Sequence, residues 1–576
     1  MTKWKIYFII LNGLLFNIIA LNAENAIQEK IIKIGPDLPY IETQHFQQGS
    51  NIDPDGRNLD LNNYFIRYDG KPILPVMGEI HYSRYPKEEW EEALLKMKAS
   101  GIQIIALYCF WLHHEEEEGH IRFDDNRDVR SFIELCSKHG LWVFPRLGPW
   151  CHGECRHGGF PDWFAEQRKS PWDRGYEGKL DPAVKRWYRA LAQQFDGLYY
   201  KQGGPIIGIQ VDNEVHTEGP GQWGFEYLSD LRNYAVEIGI DVPLYTVTGW
   251  PGPQVPEDLV IGLHGGYPAA PWAQHVKKLK PQDAFLFSSN RKDKAIGSDW
   301  GFGDFEETQI PIYRHPLLTV EMGGGNQISY HRRPTLIGKD MLALVYTRLG
   351  VGANMIGYYV YHGTQHPLSW NNEYSTQESR TTFHPYPNDY PMISYDFMAP
   401  LTEWGFIRDY YHDFKLIHQF LHHFGPDMAP LYAYLPEDNP DDPSDTDKLR
   451  YTVRSRGGHG YIIFNNYVRH LKMKDHDQVR FQIQMNDEVL TVPDQSINIL
   501  NGVYGLFPFN YNMDGILLKY ATAHPFNILD HEEKVYCFYA MKGILPEFKF
   551  DKSTINTIEV EMAKKTNRLT SFMSKN

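Results

Sequence analysis

The stretch GIQVDNEV, residues 208–215, decides how the rest of the chain is read. With Pro205, Ile206 and Ile207 before it, it opens as a buried strand, apolar and β-branched. It then turns polar at once through Asp212, Asn213 and Glu214. A core strand ending in two carboxylates and an amide fits the mouth of a parallel α/β barrel, where ligands bind. Side chains alternate along a strand, so Asp212 points away from the face its neighbours share. Asp212 therefore reads as a supporting carboxylate, and Asn213 and Glu214 as the ligand-facing pair.

The flanking sequence repeats this texture. ILPVMGEIHY (73–82), IQIIALYCFW (102–111) and LWVFPRLGPW (141–150) read as strands one to three, and the opening stretch as the fourth. VPLYTVTGW (242–250), VIGLHGG (260–266), PLLTVEMGGG (316–325) and ANMIGYYVYHGT (353–364) complete eight. Helical patterns separate them. KEEWEEALLKMKASG carries Trp90, Leu94 and Met97 on one face and Gly101 as its stop. RDVRSFIELCSKHG (127–140) also ends in glycine. Asp181-Pro182 reads as an N-cap with proline in the first turn, and Val184, Trp187, Leu191, Phe195 and Leu198 follow at helical spacing. Further helices are predicted over 224–239 and 337–349, and a weak one near 271–290. Eight strands alternating with helices specify the α/β class and a (β/α)8 TIM barrel.

After about residue 425 the pattern changes. PEDNPDDPSDTD (436–447) reads as a loop, and RYTVRS, GYIIFNN, VRFQIQM, GILLKYA and KVYCFYA as short strands. The expected organisation is a leader over 1–23, the barrel with an N-terminal lead-in over 24–425, and a smaller all-β accessory domain over 426–576. Lys3 and Lys5 precede the apolar run Ile6 to Leu21, with small residues at Ala20 and Ala23. That is the form of a secretory signal peptide cut near Ala23, a membrane anchor being the other reading. With no other long apolar run, the mature protein is expected to be periplasmic or secreted, with no membrane span.

Composition narrows the partners. A net charge of −15 argues against nucleic acid, and 14% aromatic residues suit a neutral ligand with flat faces, such as a sugar. Five cysteines form no disulfide framework; at most one local bridge, Cys151 to Cys155, is expected. CHGECRH (151–157) lacks zinc-site spacing, so neither metal nor cofactor is expected. Trp111, Trp150, Trp163, Trp250 and Trp370 read as barrel-top core or sugar platforms.

Glu214 ends strand four and Glu321 ends strand seven, on opposite sides of the mouth. Two carboxyl groups flanking one bond are what glycoside hydrolysis requires. One gives a proton to the leaving oxygen; the other attacks the anomeric carbon or activates water. Burial and mutual repulsion are expected to raise the proton donor.

From GEIHYSR (78–84) to SYDFMAPLTEWG (394–405) the chain resembles glycoside hydrolase family 35, the β-galactosidases of the four-seven barrel superfamily. The resemblance implies Glu214 as acid/base, Glu321 as nucleophile and Asn213 as a contact to the sugar 2-hydroxyl. It also implies Tyr108, Gly153, Glu154 and Tyr358 as substrate-binding residues, Gly153 standing where the family has alanine. Arg84 reads as a partner for a catalytic carboxylate, and Glu115 as structural. Three positions depart from the family: Leu112 replaces an asparagine, and Gly323 and Phe397 replace tyrosines. The expected function is a retaining exo-β-galactosidase acting on β-galactosides, oligomeric state open. The rivals are the same mechanism on another β-linked sugar, or a carbohydrate-binding barrel without turnover.

Overall fold

The computed structural model describes residues 26–558 apart from 43–48, 50, 169–172, 216–222, 248–254, 257–258, 274–275, 289–313, 381–388, 486–487, 531–533 and 556. The leader and Trp250 lie outside the described residues.

Eight parallel strands close into a barrel: β1 (Val76–Glu79), β2 (Ile104–Tyr108), β3 (Trp142–Arg146), β4 (Ile209–Gln210), β5 (Leu244–Val247), β6 (Ile261–Gly266), β7 (Thr319–Gly323) and β8 (Ile356–Tyr359). β8 pairs with β1, which completes the ring. The strands read as near-continuous apolar runs because both faces are covered. Along β2, Ile104 and Ala106 face the barrel interior with Met77, Phe144, Leu263 and Val320, while Ile105 and Leu107 face the helices.

The helices follow their sequence signals. α1 (Trp90–Ala99) buries Trp90, Ala93, Leu94 and Met97, and Gly101 beyond it takes φ +101°. α2 (Val129–Lys138) is capped by the Asp128 carboxylate, which accepts from Ser131 N at 3.0 Å. α3 (Pro182–Phe195) begins where Asp181 Oδ1 accepts from Ala183 N at 2.8 Å. α4 (Trp223–Glu237), α5 (Gly338–Gly350) and α6 (Tyr411–Met428) follow, with single helical turns at Trp111–His114 and Asp162–Ala165. The helix predicted near 271–290 does not form among the described residues; only the short 3-10 turn Asp283–Phe285 is present.

Two features correct the predicted domain limits. α6 runs through residue 425 to Met428, so the β region begins at the strand Tyr432–Tyr434. The segment Gln28–Lys33 is no lead-in to the barrel: it pairs in parallel with His476–Gln484, which pairs antiparallel with Val489–Ile499. This three-stranded sheet shares an apolar core with a six-stranded one, joining Ile32, Phe481 and Ile497 to Val453, Phe464 and Phe507. Arg454 docks the β region on the barrel. Its buried guanidinium donates to the carbonyls of Leu431 at 3.1 Å and Ala353 at 3.1 Å, and to Asn354 Oδ1 at 2.9 Å.

Candidate active site

Inward positions at the C-terminal ends of the strands carry the barrel's polar groups. Glu79 ends β1, Tyr108 ends β2, Arg146 ends β3, and Glu321 lies in β7. Arg146 is the hub. Its Nη1 donates to Glu79 Oε2 at 2.6 Å and its Nε to Gln210 Oε1 at 2.8 Å. Its Nη2 donates to Asn213 Oδ1 at 3.1 Å and also to Glu321 Oε1. The guanidinium carbon stands 3.9 Å from the centre of the Tyr108 ring. A charge this deeply buried needs carboxylate partners, and it has two. Burial pushes Glu79 up to about 7 against the pull of Arg146. Burial also lifts Glu321 to about 7; Arg146 opposes the rise and the Glu214 carboxylate adds to it.

The polar end of the opening stretch is a tight turn. Asp212 and Glu214 both take left-handed backbone angles, φ +48° and +49°, which non-glycine residues seldom adopt. Asp212 holds the turn. Its carboxylate accepts from Asn213 N at 2.6 Å, Tyr227 OH at 2.6 Å and Arg174 Nη2 at 3.1 Å, and its own N–H donates to Gly148 O at 2.7 Å. It is a supporting carboxylate, as expected, but through the geometry of this turn and not through strand alternation, because the chain has left the strand after Gln210. Asn213 is fixed too: Oδ1 also accepts from Gln210 Nε2 at 3.0 Å, and Nδ2 donates to the Cys151 carbonyl at 3.1 Å. The second N–H of that amide is left for a ligand.

The loop after β3 forms one wall. Gly153 has φ +54°, and a Cβ there would stand 2.7 Å from the Phe110 ring, so the alanine of the family pattern does not fit. Glu154 accepts from Tyr395 OH, which also pairs with Tyr359 OH at 2.7 Å. Burial raises Glu154, and the Glu214 charge adds to this while His152, Tyr395 and Arg84 oppose it. His152 places Nδ1 3.4 Å from Glu214 Oε2 and Nε2 3.2 Å from Glu378 Oε1. No disulfide forms: all five cysteines are free and buried, and Cys155 Sγ lies 3.9 Å from His113 Nε2 instead.

Tyr358 is not a pocket residue. In β8, Ile356 and Tyr358 face outward and Tyr359 faces the mouth, because side chains alternate. Tyr358 OH bonds His418 Nε2 of α6 at 2.9 Å, whereas the Tyr359 ring lies 5.6 Å from the Arg146 guanidinium. Tyr358→Phe is therefore expected to cost about 1 kcal/mol of stability and leave KM unchanged. Tyr359→Phe is expected to raise KM for the same substrate. Steady-state kinetics with thermal melts of both variants checks this.

Other readings are also corrected. Arg84 makes no carboxylate ion pair among the described residues; its guanidinium lies 4.0 Å from the Phe110 ring centre and 4.7 Å from that of Tyr395. Trp111 is core, stacked 6.1 Å from Trp187 and donating to Glu115 Oε2 at 2.6 Å. Glu115 is structural, as expected, and accepts from Arg186 Nη2 at 2.7 Å. At Gly323 no side chain fits, since a Cβ would stand 2.7 Å from Gly325 O. A Cβ there would stand 3.1 Å from the ring of Tyr267, which follows β6. Burial, with the charges of Glu321, Glu154 and Glu214, raises the Tyr267 hydroxyl well above its usual value.

Sequence reading missed Glu79, Arg146, His152, Tyr267, Tyr359 and Tyr395. Glu79 and Arg146 carried a usable signal, since each is a charge closing an otherwise apolar strand.

The model of glycosyl hydrolases family 35 matches residues 65–421, from just before β1 into α6. A β-galactosidase of Mus musculus is 28% identical over 388 residues, covering 65% of this chain and 53% of the relative. One of Bos taurus is 30% identical over 352 residues, covering 61% and 47%. The chain thus spans about half the length of these curated relatives. Among solved structures, the β-galactosidase from the psychrophilic Marinomonas ef1 aligns with a TM-score of 0.41 at 11% identity, covering 62% of each chain. With the match running through all eight staves of the barrel, the chain belongs to glycosyl hydrolases family 35.

Proposed function

We propose that the protein is a retaining β-galactosidase that removes terminal galactose. The observation that carries this is the pair Glu214 and Glu321, set on opposite sides of one barrel mouth with a cation beside each. Glu321 attacks the anomeric carbon to form a glycosyl-enzyme while Glu214 protonates the departing oxygen. Glu214 then takes a proton from water, which releases the sugar. Arg146 aims the attacking carboxylate, and Asn213 offers an N–H to the sugar 2-hydroxyl. Tyr108, Gly153, Glu154, Tyr267 and Tyr359 line the sugar pocket.

Action on a terminal sugar is supported by the wall that joins the β3 and β8 loops. Arg156 N donates to Thr376 O at 2.7 Å and Glu378 N to Glu154 O at 3.0 Å, which closes that side. Leu112, Gly323 and Phe397 favour a second reading, the same chemistry on another β-linked sugar, because a lost hydroxyl partner changes which sugar is held.

A panel of aryl β-glycosides differing only in the sugar tests the assignment, with proton NMR of the first-formed product. Galactoside preference and initial β-anomer are expected. Sugar binding without any turnover would sink the enzyme reading. Glu321 must be ionised to attack, so kcat/KM falls as pH drops below about 7. In Glu214→Gln, assayed with a dinitrophenyl leaving group that needs no acid, this limb moves to lower pH because a repelling charge is gone. Action outside the cytoplasm rests on the leader reading; N-terminal sequencing of mature protein beginning at Glu24 would support it.

A further inference from the structure

Glu214 has a neighbour that the two-carboxylate mechanism leaves idle. His152 stands between Glu214 and Glu378, 3.4 Å from one carboxylate and 3.2 Å from the other. The contact is built by the backbone. His152 takes φ +62°, and the turn is pinned by Cys155 N donating to His152 O at 2.9 Å and His152 N to Gly158 O at 3.2 Å. Gly158 can be nothing else, since a Cβ there would stand 2.1 Å from the Trp150 ring. On the other side, Cys155 bridges Gln377, and Glu378 N donates to Glu154 O, so the β8 loop is laid against the β3 loop with Glu378 opposite His152. Glu378 is 4% exposed and Glu214 7%, so both carboxylates are held away from water.

We propose that His152 and Glu378 form a positioning pair for the acid/base, in which the imidazolium holds Glu214 and balances its charge when the proton leaves. The proposal rests on Glu214 being the proton donor. In the first half-reaction the Glu214 proton goes to the glycosidic oxygen, the C1–O bond breaks, and Glu321 bonds to C1. Negative charge then appears on Glu214, beside His152 Nδ1–H. Glu378 on Nε2 keeps the ring charged and fixes its plane. In the second half-reaction Glu214 takes a proton from water and the contact relaxes. Among the described residues, the carboxylates of Glu378, Glu214 and Glu154 act on the His152 charge. Burial alone would lower the imidazole, but Glu378 and Glu214 outweigh it and raise it well above the usual histidine value. A charge-assisted hydrogen bond of this kind sets the scale of the effect.

The pair makes a prediction that a mere buttress would not. His152→Gln should lower kcat/KM roughly 10- to 100-fold for a poor leaving group such as a methyl or sugar aglycone. With dinitrophenyl galactoside, which departs unassisted, the same variant should stay within about threefold of the parent. Equal losses on both substrates would overturn the proposal. A second measurement needs no turnover. The His152 resonances, assigned by their loss in His152→Gln, are followed by NMR across pH. In the parent they should titrate above the ordinary histidine range, and in Glu378→Gln the midpoint should fall. A His152 that titrates in the ordinary range and does not respond to Glu378 would also overturn the pair. Because this arm reads the free protein, it decides the pair even if no galactoside is cleaved, an outcome that would count against the function and not the contact.

Discussion

Replacing Glu321 by alanine should lower kcat/KM for an aryl β-galactoside by about 10^4-fold or more, a barrier increase of roughly 5.5 kcal/mol. On the proposed mechanism the residue supplies the electron pair that forms the glycosyl-enzyme, and among the described residues no other carboxylate pairs with the same Arg146 nitrogen. Glu79 is tied to Arg146 on the far side of the guanidinium, and Glu214 is tied to His152. The alanine leaves room for a small anion. Azide should therefore restore turnover in Glu321→Ala and give the α-galactosyl azide, by a single displacement from the face that Glu321 occupied. Azide added to Glu214→Ala should give the β-azide instead, because it intercepts the glycosyl-enzyme formed on Glu321. Exchanged stereochemistry between the two variants would mean that the roles are reversed.

Arg146→Met should be the most damaging single change to the fold of the mouth. It removes the cation that Glu79 and Glu321 share while keeping the length of the side chain. Breaking a buried ion pair by deleting one partner costs about 3–5 kcal/mol. The sign with pH follows from the two carboxyls. Both already stand at about 7 in the folded protein, above the unfolded range, and lose their lowering partner in the variant. A group raised in the folded state contributes stability at low pH that is lost as pH rises through its folded value. The variant should therefore be near the parent at pH 5.5 and far less stable at pH 8, as read from denaturation midpoints. Equal losses at both pH values would mean that Arg146 matters by packing and not by charge.

Most of the barrel was legible because its staves are short apolar runs and its helices keep one buried face. The pair proposed for catalysis stands out for the same reason: Glu214 and Glu321 follow or interrupt runs that are otherwise core. Arg146 was less visible, since it sits inside LWVFPRLGPW and its partner Glu79 lies 67 positions away on another stave. Only the sheet order brings them together, with β2 between β1 and β3. Tyr358 was misplaced by one residue, a small error in sequence that moves a side chain to the opposite face of a strand. Tyr267 escaped notice because it approaches Gly323 from a neighbouring stave, a contact that exists only in three dimensions. The weak pattern near 271–290 had no apolar face strong enough to hold a helix.

The pairing of Gln28–Lys33 with His476–Gln484 also sets a timetable for the newborn chain. The residue whose carbonyl the Gln28 side chain meets, Asp477, leaves the ribosome 449 positions after Gln28. At 5–20 residues per second that is a wait of roughly 20 to 90 seconds. During it the segment is an unpaired edge, open to the wrong partner. Its sequence, QEKIIK, carries three charges in six residues, and only Ile32 is fully buried in the finished sheet. Lys30 meets Asp438 at 3.7 Å, but the exposed Glu29 and Lys33 add little to the folded protein. Their service is to keep the strand soluble until its partner is made, so exchanging Glu29 and Lys33 for valine should lower the yield from synthesis far more than the melting temperature of what is recovered.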